Sequence, residues 1–159
     1  MRRPLAGLGL AVTFLTVVPV RLRAPVPALG AAAPWFPVVG AAIGAAAGGV
    51  DYLTRPSVGP FGSAVLAVLV LAGLTGGLHQ DGLADCADGL GVRGDRARRL
   101  RVMRDPAVGA FGVLALGLWL LLMIAATSGF ARDDAWRALV AVAAVGRWAA
   151  LLHACAAAP

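Results

Sequence analysis

Two long uncharged runs constrain this chain more than any other feature. Residues 57–78 and 106–131 carry no charged side chain, and each run exceeds the roughly 18 residues that indicate a membrane-spanning helix. Of the 159 residues, 60% are hydrophobic and only 14% are charged, whereas a soluble domain carries about 25% charged residues. The sequence therefore predicts an all-α integral membrane protein, a single helical domain over residues 1–159.

Three further segments are candidate membrane spans. Residues 4–20 form a borderline apolar run, and residues 138–159 form one that Arg147 interrupts. Residues 24–50 contain four prolines in their first half and are rich in Gly and Ala in their second. Because small residues let helices approach closely in lipid, we expect a tightly packed helix from about Trp35. The bundle is therefore predicted to contain about four to five membrane segments.

Charge asymmetry predicts the orientation of the bundle. Residues 93–104 hold six arginines, whereas residues 129–137 hold two arginines and two aspartates. The positive-inside rule therefore places the first of these loops, which is rich in Asp and Arg, in the cytoplasm. Arg2 and Arg3 favour a cytoplasmic N-terminus too. If the N-terminus is inside, however, three full spans before residue 79 would put the six-arginine loop outside. Either the first segment does not cross fully or the N-terminus is outside, and we give the six-arginine loop more weight.

The net charge and the cysteine count argue against two other classes of protein. The formal charge of +6 does not indicate nucleic-acid binding, because the arginines lie beside predicted spans, where membrane topology explains them. The two cysteines are too few for a disulfide framework.

The stretch HQDGLADCADGL, residues 79–90, places three acids within eight residues of an otherwise apolar chain. On a helix of 100° per residue, Asp81, Asp85 and Asp88 lie within roughly 60° of arc, on one face. Such carboxylates suit Mg²⁺, which is commonly held by one or two carboxylates plus phosphates and water. His79 falls on the other side of an ideal helix. The alternative, that the acids only cap a helix and pair with the arginines downstream, stays open.

Two blocks of the sequence are similar to a known family. GGLHQDGLADCADGLG, residues 76–91, and VMRDPAVGAFGVLAL, residues 102–116, resemble signatures of the cobalamin synthases, the adenosylcobinamide-GDP ribazoletransferase family. Weaker similarities, in the order of the family, are FLTVVPV, FPVVGAAIGA and GRWAALLHA. The first of these favours a membrane or re-entrant segment at the N-terminus over a cleaved signal peptide.

The chain also departs from the family pattern. Family members continue well beyond the point where this sequence stops, so the resemblance implies a fragment or a relative shortened at its C-terminus. Gln80 replaces an apolar residue usual in the family, and Cys86 replaces a small one. Neither replacement removes a carboxylate.

The resemblance implies an Mg²⁺-dependent transferase in the last steps of cobalamin biosynthesis. The family joins adenosylcobinamide-GDP to α-ribazole, or to its 5′-phosphate, and releases GMP, as a ribose hydroxyl attacks the phosphorus attached to cobinamide. The resemblance also implies a multi-pass protein in the lipid bilayer of the bacterial inner membrane, with the acidic site on the cytoplasmic side. No nucleic-acid partner follows from it, and homo-oligomerisation stays open.

The resemblance assigns roles to the acids and to one histidine. Asp81, Asp85 and Asp88 would hold one or two Mg²⁺ ions at the pyrophosphate, or one of them would accept the hydroxyl proton. His79 is a candidate general base with a pKa near working pH, although a structural role is favoured for it.

A second group of residues would bind phosphate. The candidates are Arg98, Arg101, Arg104, Asp105 and Arg147. Asp105 belongs to the second family block, but it also lies four residues after Arg101 and could simply pair with that side chain. Gly109 and Gly112 are expected to be packing residues rather than ligands.

Arg147 is unusual because it interrupts an apolar run. If Arg137 marks the outer edge of the membrane, ten residues of helix carry the chain about 15 Å inward. A charge at that depth is costly and usually paired or functional, and the expected partner is an acid from residues 79–90. The alternative is a shifted span from which Arg147 reaches an interface.

Two rival functions fit part of the pattern. A CDP-alcohol phosphotransferase needs Ala-Arg soon after Asp-Gly, but here Asp81 and Gly82 are followed by Leu83, Ala84 and Asp85. A divalent-cation transporter or channel would place its acids within a span. Here the acids adjoin an arginine-rich loop, which repels cations.

Overall fold

A computed structural model describes residues 3–22 and 29–156, and every regular element in them is helical. The helices are α1 (Arg3–Leu15), α2 (Phe36–Thr75), α3 (Leu78–Gly91), α4 (Arg96–Val102), α5 (Ala110–Gly129) and α6 (Arg132–Ala156), and two short 3₁₀ turns, Leu29–Ala31 and Ala33–Trp35, precede α2. The prediction of an all-α protein is confirmed.

Helix α2 is a hairpin that reverses direction at Gly59. This residue has φ 75° and ψ 170°, a conformation that glycine adopts without steric cost. The Ser63 hydroxyl donates a hydrogen bond of 2.7 Å to the Asp51 carboxylate, although twelve residues of straight helix would span about 18 Å. The element therefore consists of a first arm, residues 36–58, and a second arm, residues 60–75, that run antiparallel.

The first arm packs closely against α6. It carries three glycines spaced four residues apart: Gly40, Gly44 and Gly48. A Cβ atom on each would collide in turn with Ala143, Leu139 and Trp136, so the two helices run antiparallel with their backbones close together. Small residues at this spacing are what close helix packing in lipid requires. The predicted tightly packed helix from about Trp35 is confirmed.

The hairpin gives the bundle two distinct ends. At the tip end, where the hairpin turns, the Arg55 guanidinium donates to the carbonyl oxygens of Thr127 and Phe130 at the end of α5. Arg132, at the start of α6, donates to the Tyr52 carbonyl oxygen there. At the opposite end, the site end, lie the two open ends of the hairpin, α3, α4 and the start of α5. All six arginines of residues 93–104 are therefore at the site end.

Helix α1 lies against the open ends of the hairpin. Gly7, in its second turn, contacts Ala31 just before the first arm, and the Val17 backbone N–H donates to the Leu74 carbonyl oxygen at 2.9 Å. The apolar part of α1, Leu5–Leu15, is shorter than a membrane span. Of the two alternatives, the structure thus favours a first segment that does not cross fully.

Among the described residues, three apolar helices are long enough to cross a membrane: Ala33–Thr75, Ala110–Gly129 and Arg132–His153. Because the first is the hairpin, four segments run the length of the bundle. With α1, this matches the predicted four to five segments. Much of α5 exposes leucine and valine side chains, as expected for a surface that faces lipid.

Candidate functional site

A double-glycine turn separates α3 from the second arm. Gly76 and Gly77 have φ values of 59° and 74°, the left-handed conformation that favours glycine. Helix α3 then begins at Leu78, so His79 is already helical. The turn redirects the chain before His79. The His79 side chain therefore stays on the opposite side of α3 from the acids.

Asp81 and Asp85 lie one turn apart on α3, with Asp81 exposed and Asp85 partly exposed. Asp81 lines an open groove of about 700 Å³ that apolar side chains of α1 and α5 also line. Within the described part of the chain, neither carboxylate forms a hydrogen bond or a salt bridge, to the downstream arginines or otherwise. The alternative that these two acids simply pair with the arginines is therefore not what the structure shows.

Asp88 has a different environment from the other two acids. The residue is 7% exposed, and its carboxylate accepts hydrogen bonds from the backbone N–H of Gly109 at 2.7 Å and of Gly112 at 2.9 Å. These N–H groups belong to the first turn of α5, where a helix leaves donors unsatisfied and favours negative charge. A side chain on either glycine would collide with the Asp88 carboxylate. Asp88 thus joins α3 to α5, and both glycines are packing residues, as expected.

The predicted three-carboxylate cluster is consequently not formed. In residues 3–22 and 29–156, no three His, Cys, Asp or Glu side chains come close enough to hold a metal ion. The Asp88 carboxylate is engaged by two backbone N–H groups at the start of α5. Asp81 and Asp85 remain available on the exposed face of α3.

The arginines of α4 and of the turn that follows it are exposed at the site end. Asp95 caps this short helix, since its carboxylate accepts from the backbone N–H of Arg98 at 2.9 Å. Arg98, Arg101 and Arg104 are all exposed, and none of them forms a salt bridge with a described acid. The Met103 side chain packs against Gly89, which fixes α4 beside the end of α3.

Asp105 is engaged locally. Its carboxylate accepts from the Ala107 backbone N–H at 2.9 Å and forms a turn with its own chain. The suggested pairing with Arg101 is not formed in the described structure. Asp105 therefore shapes the loop between α4 and α5.

His79, Gln80 and Arg147 line a partly open cavity of about 180 Å³ between α3, α5 and α6. Partial burial, followed by the positive charge of Arg147, holds the pKa of His79 below its usual value and so favours the neutral imidazole. The Arg147 Nε and Gln80 Oε1 atoms are buried and have no hydrogen-bond partner among the described residues. The structure thus separates His79 from the acid stripe, as helical periodicity predicted.

The expected partner of Arg147 is not the one observed. In the described residues no carboxylate lies within salt-bridge distance of its guanidinium, because the acids of α3 face away from α6 while His79 and Gln80 face towards it. The Arg147 Nη1 atom makes only a long contact, 3.5 Å, to the Ala143 carbonyl oxygen. The Ala143 carbonyl lies one turn earlier on α6, on the tip side of Arg147.

Sequence analysis missed a buried network at the tip end. Asp51 and Ser63 are fully buried, and the Arg55 guanidinium lies 3.0 Å from the Asp51 carboxylate. The spacing of Asp51 and Arg55, four residues apart in an apolar arm, was the available signal. This network fixes the hairpin turn against α5 and lies at the opposite end from the acid stripe.

These features define a polytopic helical membrane protein with carboxylates and guanidinium groups gathered at one end. The chain belongs to the family described as cobalamin-5-phosphate synthase, whose profile matches residues 7–159. The family resemblance inferred from the two sequence blocks is confirmed.

Several curated relatives are adenosylcobinamide-GDP ribazoletransferases. The one from Thermosynechococcus vestitus is 46% identical over 143 residues, which cover 87% of this chain and 56% of that protein. The one from Azorhizobium caulinodans is 40% identical over 162 residues, or 94% of this chain and 60% of that protein. The chain thus spans between 56% and 60% of the length of these two relatives. No solved structure matches the chain.

Proposed function

We propose that this chain belongs to the catalytic part of an adenosylcobinamide-GDP ribazoletransferase. The enzyme would transfer the adenosylcobinamide-phosphate group to α-ribazole, or to its 5′-phosphate, and release GMP. The observation that carries the proposal is a pair of carboxylates on α3, the exposed Asp81 and the partly exposed Asp85, which have no partner among the described residues and lie on the helix that packs against α4. The names of the relatives support the choice of substrates.

The two acids fit a magnesium ion. Mg²⁺ is usually held by one or two carboxylates, with substrate phosphates and water completing its octahedral shell. Asp81 and Asp85 provide that number of ligands on one exposed face, and Asp88 is engaged with α5. When bound, Mg²⁺ would neutralise charge that develops on the pyrophosphate oxygens.

The remaining groups of the site would position the donor and move one proton. The exposed guanidinium groups of Arg98, Arg101 and Arg104 are suited to bidentate contacts with phosphate oxygens. The acceptor hydroxyl oxygen forms a bond to the phosphorus attached to cobinamide, and the bond from that phosphorus to the GMP oxygen breaks. Asp81 or Asp85 would take the hydroxyl proton.

The site would face the cytoplasm of the bacterial inner membrane. The six arginines of residues 93–104 all lie at the site end, and the positive-inside rule places such a segment on the cytoplasmic side. The nucleotide donor would then reach the site without crossing the bilayer.

The test is GMP release from adenosylcobinamide-GDP by membranes that contain this chain, with the Thermosynechococcus vestitus relative as the positive control. Release should require both α-ribazole and Mg²⁺. The same membranes should neither release CMP from CDP-alcohol donors nor take up divalent cations into vesicles. Release of CMP, or cation uptake without GMP release, would support a rival function instead.

A further inference from the structure

We propose that the cavity lined by His79, Gln80 and Arg147 is a binding site for a phosphate oxyanion. The cavity lies among the second arm, α3, α5 and α6, and its volume is about 180 Å³. Its polar lining comes from these three residues, and apolar side chains such as Leu71, Trp119 and Met123 surround them. It is therefore a partly open crevice, since His79, Val142 and Gly146 in its lining are exposed, and its lining is mostly apolar apart from these three polar side chains.

The strongest observation is the uncompensated charge of Arg147. This side chain lies in a membrane-spanning helix, its Nε atom is buried without a partner, and its one hydrogen bond is 3.5 Å long. Within the described residues, no carboxylate is near enough to neutralise it. Arg147 is partly buried, and a charge in a membrane-spanning helix is normally paired, so the cavity beside its guanidinium is suited to an anion.

The chemistry of the lining favours an oxyanion. The planar guanidinium of Arg147 presents donors in a fork that matches two oxygens of a phosphate group. Gln80 carries an NH₂ group as well as its unpartnered oxygen, so rotating the amide would direct two further donors into the cavity. A neutral His79 can donate one N–H. The cavity has room for one phosphate group or several waters, and a guanosine would have to remain outside it.

The cavity adjoins the acid-bearing face of the same helix. Gln80 precedes Asp81, and Gln80 lines both this cavity and the open groove that Asp81 lines. Resting on the proposed function, we take the oxyanion to be a phosphate group of the guanosine nucleotide. Arg147 would then contact the donor from the cavity, while the arginines of α4 contact it from the other side of α3.

Equilibrium binding to the purified protein tests the proposal without requiring catalysis. Inorganic phosphate and GMP should both bind saturably and compete with each other, and guanosine should not compete. Fluorescence of Trp119, which lines the cavity, would report occupancy, and a Trp119→Phe variant would identify its signal. If the natural ligand is free phosphate, phosphate and GMP should bind with equal affinity. If the natural ligand is a nucleotide, GMP should bind more tightly than phosphate.

Variants locate the site. Arg147→Gln should weaken phosphate binding about ten- to hundredfold, the loss expected for a charged hydrogen-bonding partner, and Arg147→Lys should retain part of the affinity. Gln80→Leu should weaken binding about two- to tenfold. The matched control is Arg137→Gln, because Arg137 is 73% exposed at the tip end and its loss should change nothing.

Several outcomes would overturn the inference. One is the absence of saturable phosphate binding by the wild-type protein, which would indicate a cavity filled by water. Another is wild-type affinity in Arg147→Gln, with the loss appearing instead in Arg101→Gln. GMP release with no effect of Arg147→Gln on phosphate binding would reject this site but leave the proposed function intact. Arg147-dependent phosphate binding without GMP release would support this site but contradict the proposed function.

Discussion

The Asp88 carboxylate accepts a 2.7 Å hydrogen bond from the backbone N–H of Gly109, at the start of α5. The acid and the helix it caps are separated by a whole loop and by α4. This contact makes the position of the acid-bearing helix depend on α5, so the three acids of α3 should respond differently to the same substitution.

Asp88→Asn should lower stability by about 1–3 kcal/mol. The amide oxygen can replace one acceptor, but its NH₂ group faces a backbone donor and the favourable charge at the helix N-terminus is lost. The measurement is thermal unfolding of the purified protein in detergent. Asp85→Asn is the matched control, and an equal loss in both variants would contradict the capping role.

Asp85→Asn should instead reduce GMP release about a hundredfold or more, while the amount of membrane-inserted protein stays constant. Losing a group that stabilises charge in a transition state typically costs about 3–4 kcal/mol. The measurement is GMP release per inserted protein across a Mg²⁺ titration. Asp133→Asn, an exposed acid at the opposite end, should keep normal activity. Normal specific activity in both Asp81→Asn and Asp85→Asn would exclude the proposed metal site.

Gly44→Ala should destabilise the bundle by about 1–3 kcal/mol. A Cβ atom there would meet the Leu139 carbonyl oxygen and the Val140 backbone, so α6 would have to move away, and overpacking of this kind has that typical cost. Gly49→Ala lies in the same arm with no atom within 4 Å of its Cβ position. It should be neutral or slightly stabilising, because alanine favours a helix over glycine. Similar melting temperatures for the two variants would refute the close contact.

Arg55→Gln should destabilise the tip end by about 3–5 kcal/mol. The substitution leaves the fully buried Asp51 without its charged partner and removes the donors to the end of α5. Replacing both residues together, as Asp51→Asn with Arg55→Gln, should restore part of that stability. A double variant as unstable as the sum of its single variants would show that the pair is not coupled.

Cys86 provides a test of orientation. It is exposed on α3, so a membrane-impermeant thiol reagent should label it in inverted vesicles and not in intact cells, in a chain that also carries Cys155→Ser. Leu53→Cys, placed at the 73% exposed Leu53 position near the tip, should show the opposite pattern in a Cys86→Ser background. Labelling of Cys86 from outside would reverse the proposed topology.

The sequence predicted what depends on local pattern. Long apolar runs located the spans, the glycine-rich stretch predicted a closely packed helix, and helical periodicity placed His79 opposite the acids of α3. All of these follow from the residues of one segment. The number of membrane segments also followed, although the hairpin turn at Gly59 was not anticipated.

What the sequence did not reveal depends on distant segments meeting. Asp88 looked equivalent to Asp81 and Asp85 because it lies on the same helical face, and only the position of α5 distinguishes it. The surroundings of Arg147 likewise depend on which face of α3 turns toward α6. Asp51 and Ser63 could be paired only once the reversal at Gly59 was known.

The reversal at Gly59 also bears on how the chain enters the membrane. If the site end is cytoplasmic, only the hairpin tip has to be translocated when the two arms insert together. Between residues 51 and 60 the charged side chains are Asp51 and Arg55, which together carry no net charge. A membrane potential, which acts on net charge at about 2.3 kcal/mol per charge per 100 mV, would therefore neither drive nor oppose insertion of the hairpin.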